Sequence, residues 1–366
     1  MLNAAASYIM KGTKKFRKRD KLMTRIYLIR HAAAEGNLYR VAHGQFNSTI
    51  TARGYRQLSY LRRRFEGVTL DAVYGSDLLR AQTTAAALYV PRNLPFRPEP
   101  RLREVCMGAW EQLTWGEVAR LDEEMYYNFN NRPDLFAYEG AENFEAVRDR
   151  MMAALRDIAA AHPNGTVAAT SHGAALRILL GTLEGLSLRE IGNTPYGDNT
   201  AVSLVEVEGD EIRLVYRDDA THIPQENRVR RHGVQGTKGY TVVATQPGLW
   251  FRPLNKSETH CELEALLGED SVGRTAFRVE GDVLRITEYE IFPARRGQNY
   301  SVQLLGQAVK FARQHGCEDI VVSCGEDYVP YFEKCGFVVR KKNIEGIELT
   351  LDIRRVIREI PEIDTP

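Results

Sequence analysis

Cysteine is scarce and unpatterned in this chain. Five residues (Cys106, Cys261, Cys317, Cys324, Cys335) are spread over 366 positions, an odd number without C-x2-C spacing. That excludes a disulfide framework and a zinc site and leaves buried free thiols as the reading. No charge-free apolar run reaches the length of a bilayer span. The basic run near the start follows the weakly apolar Met1–Met10 instead of preceding it, the reverse of a secretory leader. The expectation is a cytoplasmic protein without a membrane partner. Net charge is missing too: 49 Lys and Arg oppose 48 Asp and Glu, a formal +1, so no global field recruits nucleic acid. The near-zero total hides one arm, because residues 1–25 hold eight Lys or Arg against Asp20 alone; residues 1–24 read as a solvated basic tail. Repeats and low-complexity segments are absent. What is present is 43% hydrophobic and 27% charged residues, the composition of a packed globular protein, in a length that predicts two domains.

Past the tail, Ile26–Ile29 is a short apolar run that reads as a buried strand ending at Arg30-His31. Thr51 is a plausible N-cap for a helix carrying Tyr55, Leu58, Leu61 and Phe65 at helical spacing. Asp71–Tyr74 reads as a strand, Arg80–Tyr89 as a helix, and Phe144 to Ile158 as a long amphipathic helix closed by Pro163-Asn164-Gly165 before the strand Thr166–Thr170. Alternating strands and helices predict an α/β fold, a doubly wound, mostly parallel sheet with helices on both faces. A hairpin, Ala201–Val207 with Glu211–Tyr216, closes it. The domains expected are 25–217 and 248–353, with 218–247, polar and without periodicity, as linker and 354–366 as a C-terminal tail. In the second, Val283–Phe292 and Asp319–Ser323 read as strands around a helix with Val302, Leu305, Val309 and Ala312 on one face. Each domain should fold alone if the chain is cut near Gln235.

Three strand ends deliver chemistry to one edge of the first sheet: Arg30-His31, Ser171-His172-Gly173, and Gly75-Ser76-Asp77 leading to Arg80. Ligands of open α/β sheets sit beyond the carboxyl ends of the strands. Two guanidinium forks match the oxygens of a phosphomonoester, one imidazole can attack phosphorus and a second can donate to the developing charge. No metal is required. In order, Leu28-Ile29-Arg30-His31-Ala32-Ala33-Ala34-Glu35-Gly36-Asn37, Ser76-Asp77-Leu78-Leu79-Arg80-Ala81-Gln82-Thr83, Leu102-Arg103-Glu104 with Gly108-Ala109-Trp110-Glu111, and Ser171-His172-Gly173 resemble the signature of the histidine phosphatase superfamily, the phosphoglycerate mutase-like enzymes. The resemblance implies that His31 is the phosphohistidine nucleophile, that Arg30, Arg80 and His172 complete the phosphate pocket, that Asn37 contacts substrate and that Glu104 is the general acid. Ala32 and Ala33 replace the family's Gly-Glu, which is read as an altered substrate contact. The stretch from Glu104 to His172 is short for a mutase, so water is the expected acceptor; mutase-type phosphoryl transfer is the alternative. Trp110, Trp115, Tyr126, Tyr127, Phe129, Phe136 and Tyr138 either pack an ordinary helical lid or wall an apolar pocket for the substrate.

In the second domain the strand ending at Phe292 leads through Arg295-Arg296-Gly297-Gln298-Asn299-Tyr300-Ser301 directly into a helix, whose free N–H groups suit a pyrophosphate. With Tyr331-Phe332-Glu333-Lys334-Cys335-Gly336-Phe337, this resembles the GNAT acyltransferase family. The resemblance implies a smaller α/β domain in which Arg296, Gly297, Gln298, Asn299 and Ser301 cradle acetyl-CoA, with an amine as acceptor. Asn299 and Ser301 stand where the family prefers glycine or alanine. Phe332 stands where it commonly places a tyrosine, with Tyr331 and Tyr328 as neighbouring hydroxyls and Glu288 or Glu290 as candidate bases. The reading is a metal-independent phosphatase of small-molecule phosphomonoesters fused to a GNAT-like domain. Its alternative makes acyl transfer the principal activity.

Overall fold

The computed structural model describes residues 22–228, 233–235, 241–243, 248–343 and 346–362. Nearly all of the basic tail, parts of the linker (229–232, 236–240 and 244–247) and the last four residues lie outside the described residues. In chain order the elements are β1 (Met23–Arg30), α1 (Glu35–Tyr39), α2 (Ala52–Arg64), β2 (Ala72–Gly75), α3 (Leu79–Tyr89), β3 (Phe96–Pro98), α4 (Trp115–Leu121), α5 (Glu123–Asn131), α6 (Phe144–Ala161), β4 (Thr166–Ser171), α7 (Gly173–Leu183), α8 (Leu188–Ile191), β5 (Val202–Glu208) and β6 (Glu211–Asp219). A short pair follows, β7 (Gly233–Gln235) and β8 (Thr241–Val243). Then come β9 (Trp250–Lys256), β10 (His260–Leu267), β11 (Asp270–Glu280), β12 (Val283–Ile291), α9 (Ser301–Gln314), β13 (Asp319–Cys324), α10 (Val329–Lys334), β14 (Val338–Asn343) and β15 (Gly346–Asp352).

The first sheet has the order β3-β2-β4-β1-β5-β6, with β1, β2, β3 and β4 parallel and the β5–β6 hairpin antiparallel on the edge. The apolar run of β1 is buried as expected, Ile26, Leu28 and Ile29 being at most 1% exposed. Helix α2 starts where Thr51 accepts the Gly54 N–H at 3.2 Å on its hydroxyl, and Arg62, Arg63 and Arg64 at its other end complement the helix dipole. In-register pairing of β1 with β4 sets Arg30 opposite Ser171, which brings His31 and His172 side by side.

The second sheet has the order β14-β15-β13-β12-β11-β10-β9. Strands β12 and β13 are parallel but pair only over Val283–Ile286 and Asp319–Val322. Beyond Ile286 they part, and the gap opens toward the start of α9.

Two boundaries differ from the sequence reading. The stretch assigned to the linker begins inside the first domain: β6 runs to Asp219, Ala220 and Ile223 are buried, and Gln57 donates to the Asn227 carbonyl at 2.7 Å. The stretch assigned to a C-terminal tail returns to the first domain. Ile360 is buried with Ile29, Leu58 and Leu61, Arg358 N–H donates to the Tyr55 hydroxyl at 2.9 Å, and Ser59 donates to the Pro361 carbonyl. Tyr39, conversely, belongs to the core of the second domain, and Thr114 donates to the Leu249 carbonyl at 2.7 Å. The two domains exchange core residues and pack against each other through these shared contacts.

Candidate active site

The residues expected at the edge of the first sheet converge. His31 and His172 are at most 1% exposed, with ring centroids 5.2 Å apart. His31 Nδ1 lies 2.8 Å from the Ala32 carbonyl. A carbonyl oxygen only accepts, so Nδ1 carries the proton and Nε2 keeps its lone pair. Burial, reinforced by the positive charge of Arg80 and Arg30, holds the imidazole well below the usual histidine range. Burial and Arg80 do the same to His172. Both rings are therefore neutral near pH 7. Behind them the loop is buttressed: Ala32 N–H donates to Thr84 at 3.0 Å, Ala33 N–H to Gln57 at 2.8 Å, and Asn199 donates to the His31 carbonyl at 2.9 Å. Ala32 and Ala33 are at most 3% exposed, as His31 is, and their methyl groups pack in the turn that follows it.

Arg30 donates to the Gly197 carbonyl. Arg80, fully buried, donates to the carbonyls of Phe46 (2.8 Å), His43 (2.9 Å) and Gly44 (2.7 Å). The Nε of each arginine and both ring nitrogens of His172 are buried without a protein partner. Buried polar groups are ordinarily satisfied, and the two arginine Nε–H groups together with the one N–H that a neutral His172 carries form a donor cluster suited to an anion. Gly173 permits it, since a Cβ there would press within 3.2 Å of the Arg30 guanidinium.

Glu104 accepts the Ala174 N–H on Oε2 (3.0 Å) and the Ala175 N–H on Oε1 (2.8 Å), at the first turn of α7. Its negative charge is the strongest counterweight to the burial of both Arg30 and Arg80. Arg150 donates to the carbonyls of Arg101, Arg103 and Glu104 and fixes that loop. Asn37 spends its side-chain oxygen within the protein, accepting from the Ala34 N–H at 3.0 Å and from the Asn199 side-chain amide at 3.2 Å. Glu111, part of the quoted Gly108–Glu111 segment, accepts the N–H groups of Gln45 and Phe46 at 2.7 and 2.6 Å and so shapes the loop whose carbonyls hold Arg80.

His43 is a residue that sequence reasoning missed. Its ring stands edge to face on His31 at 5.6 Å, and burial with Arg80 and Arg30 keeps it well below the usual histidine range. It precedes Gly44 in a loop without periodicity, and no local signal marks it. The aromatic segment resolves toward packing: Trp110, Phe129 and Phe136 are at most 3% exposed and stack on one another, forming a core and not an apolar wall for substrate. Among the described residues no group of three or more His, Cys, Asp or Glu side chains is arranged to hold a metal ion, and no helix is long and apolar enough to cross a membrane.

In the second sheet the gap between β12 and β13 is a cavity of about 560 Å³, within the range of small-molecule pockets. Arg296, Gly297, Asn299 and Ser301 line it; Gln298 is exposed outside that lining. Asn299 adopts the left-handed conformation (φ 58°), as does Gly297 (φ 78°). The first turn of α9 has no side-chain cap, and of its N–H groups that of Gln303 donates to the Tyr300 carbonyl at 2.9 Å; an uncapped helix start is the kind of end that suits an anion. Glu288, Glu290, Tyr328, Tyr331 and Phe332 also line the cavity. Tyr331 shares a 2.7 Å hydrogen bond with the Tyr289 hydroxyl, and burial holds its phenol above the ordinary range. Phe332 is 3% exposed.

The family model for the histidine phosphatase superfamily (branch 1) matches residues 26–220, and that for the acetyltransferase (GNAT) family matches residues 238–337. Over 187 residues the chain is 27% identical to phosphoserine phosphatase 1 of Hydrogenobacter thermophilus, covering 51% of this chain and 88% of that protein. It is 33% identical over 168 residues to the metal-independent phosphoserine phosphatase of Arabidopsis thaliana, covering 44% and 69%. The solved structure of Bacillus stearothermophilus YhfR superposes with a TM-score of 0.54 at 31% identity, covering 55% of this chain and all of that one.

Proposed function

The chain belongs to the histidine phosphatase superfamily and carries a GNAT domain after it, and we propose that it hydrolyses small-molecule phosphomonoesters through a phosphohistidine on His31, without a metal. The observation that carries this reading is the neutral His31 ring with its proton held on Nδ1, set beside four buried unsatisfied groups of Arg30, Arg80 and His172. Nε2 attacks phosphorus, the bond from phosphorus to the ester oxygen breaks, and the phosphoryl oxygens are met by two guanidinium charges and the second imidazole. Those fixed charges supply the electrostatic complement that a metal provides elsewhere. Glu104, bound to the N–H groups beside His172, is the proton carrier. Entering the step as the carboxylic acid, it gives its proton to the leaving alcohol; the carboxylate left behind then takes a proton from the water that attacks the phosphohistidine, which regenerates both the acid and His31. Asn37 holds the turn that follows His31. The relatives named phosphoserine phosphatase put phosphoserine first among substrates to try.

The C-terminal cavity supports a second reading, that this domain binds acetyl-CoA and acylates an amine. Arg296, Gly297, Asn299 and Ser301 would hold the pyrophosphate at the start of α9, and the group itself would supply an activated acyl thioester. Glu288 and Glu290 stand where an amine would lose its proton.

The phosphatase reading is tested on the full-length chain by following phosphate release from a panel of phosphomonoesters in excess chelator, and by trapping acid-labile phosphate on the protein. Turnover and label should both persist with chelator, and His31→Ala should abolish both. Activity restored only by added magnesium would refute it.

A further inference from the structure

Glu35 is a buried acid with no part in the phosphate pocket. It opens α1, four positions after His31, and its side chain is 9% exposed. Arg313, in the last turn of α9 in the acetyltransferase domain, meets it with two parallel hydrogen bonds, Nη2 to Oε1 at 2.7 Å and Nη1 to Oε2 at 2.8 Å. The arginine side chain is itself 13% exposed, and it also donates to the Ile353 carbonyl at 3.2 Å. Exposed ion pairs hold little in place; a buried two-pronged pair fixes both partners, because either one alone is a stranded charge.

From Glu35 the contacts run straight to the chemistry. Its Oε2 accepts the Thr49 N–H at 3.0 Å while its own N–H donates to the Thr49 carbonyl at 3.0 Å. Residues 33–35 and 49–51 are thereby laced together, the Ala33 carbonyl accepting from both the N–H and the hydroxyl of Thr51. On one side of this lacing stands His31. On the other is the 43–48 loop, whose carbonyls hold Arg80 and whose His43 ring packs on His31. The helices bearing the pair are in close contact as well, since a Cβ on Gly306 would come within 2.6 Å of Tyr39 Cβ.

We propose that Arg313 is a positioning residue for the phosphatase reaction: the acetyltransferase domain supplies the guanidinium that clamps Glu35 and so sets the loops carrying His31 and Arg80. This rests on the phosphohistidine reading. The first domain then needs the second for its rate and not only for its solubility.

The test uses the full-length chain and rapid-mixing measurements with a phosphomonoester, which give two quantities: the fraction of chains that acquire acid-labile phosphate, and the rate constants for gaining and losing it. Arg313→Lys keeps the charge but loses the fork; Arg313→Met removes both. A displacement of about 1 Å in a catalytic group costs about 10²-fold. The rate per labelled site should therefore fall by on the order of 10-fold or more in Arg313→Met and by less in Arg313→Lys, with the labelled fraction held near that of the wild type. A residue that merely supports folding would do the opposite, lowering the labelled fraction and leaving the rate per site unchanged; that result in Arg313→Lys, the milder variant, overturns the proposal. A wild-type chain that never takes up label refutes the phosphohistidine reading and this inference with it. A labelled wild type whose rate is indifferent to Arg313 refutes the inference alone.

Discussion

Acidification from pH 7.0 to 5.5 should cost the folded chain about 5 kcal/mol. Three site histidines, His31, His43 and His172, are held well below the usual range by burial and by the site arginines, and a fourth, His222, is pushed down to about 4 by burial and Arg64. In the unfolded chain each titrates near 6.5. The unfolded state therefore binds more protons throughout this window, and stability rises with pH, present in full above about 6.5 and lost as pH falls toward the folded values. Each histidine contributes on the order of 1 kcal/mol between pH 7.0 and 5.5, and four contribute about 5. Carboxylates held low, Asp219 by hydrogen bonds from Thr221 and then Arg64 and Asp352 by Arg354, both at about 2, add their share at more acid pH, so this window favours the imidazoles. Urea unfolding followed by tryptophan fluorescence at the two pH values measures the difference. His222→Asn should reduce it by about 1 kcal/mol without touching the phosphate pocket. A total below about 2 kcal/mol would show that the site rings take up protons in the native state within this window and would count against a strongly depressed His31; no change in the variant would show the same of His222 alone.

Glu104→Gln should slow turnover of alkyl phosphates by about 10² to 10⁴ with little change in binding, and far less for aryl phosphates with good leaving groups; equal losses for both would count against the acid role. Asn299→Gly with Ser301→Gly should tighten acetyl-CoA binding measured by calorimetry, because Asn299 already sits at φ 58° and glycine there removes side-chain bulk without straining the loop; unchanged or weaker binding would show that the cavity takes another ligand. Gly306→Ala should destabilise by about 1–2 kcal/mol in thermal unfolding, because the clash with Tyr39 at 2.6 Å outweighs the helix-propensity gain of about 1 kcal/mol.

The legible parts of this molecule are those written in short stretches of chain. Ile26–Ile29 and Thr166–Thr170 announce buried strands, Thr51 announces a helix start, and the Arg and His residues at the strand ends lie within a residue or two of the runs that position them. The antiparallel strands β9 to β11 escaped because their pairing is interrupted by register shifts at Glu262/Leu263 and Ala265/Leu266, which break the alternation that marks a strand. Strand β14, Val-Val-Arg-Lys-Lys-Asn, is a basic sheet edge with exposed Val338, as edges often are, and its composition resembles a loop. In the site, His43 and the Glu35–Arg313 pair carry no local signal. The pair joins residues 278 positions apart, and only the packing of α1 against α9 brings them together.

The return of the chain to its first domain has a consequence for how the protein comes apart. With Ile360 in the core of one half and Tyr39 in the core of the other, neither hydrophobic cluster can be disassembled without opening part of its neighbour. Melting of one domain therefore exposes apolar surface in both. A nick within the linker would also leave the halves associated, since the strand of contacts from Ile353 to Pro361 still bridges them. The second domain is thus stapled to the first at both ends, as an inserted loop would be, and a destabilising change anywhere in it lowers the population of folded phosphatase.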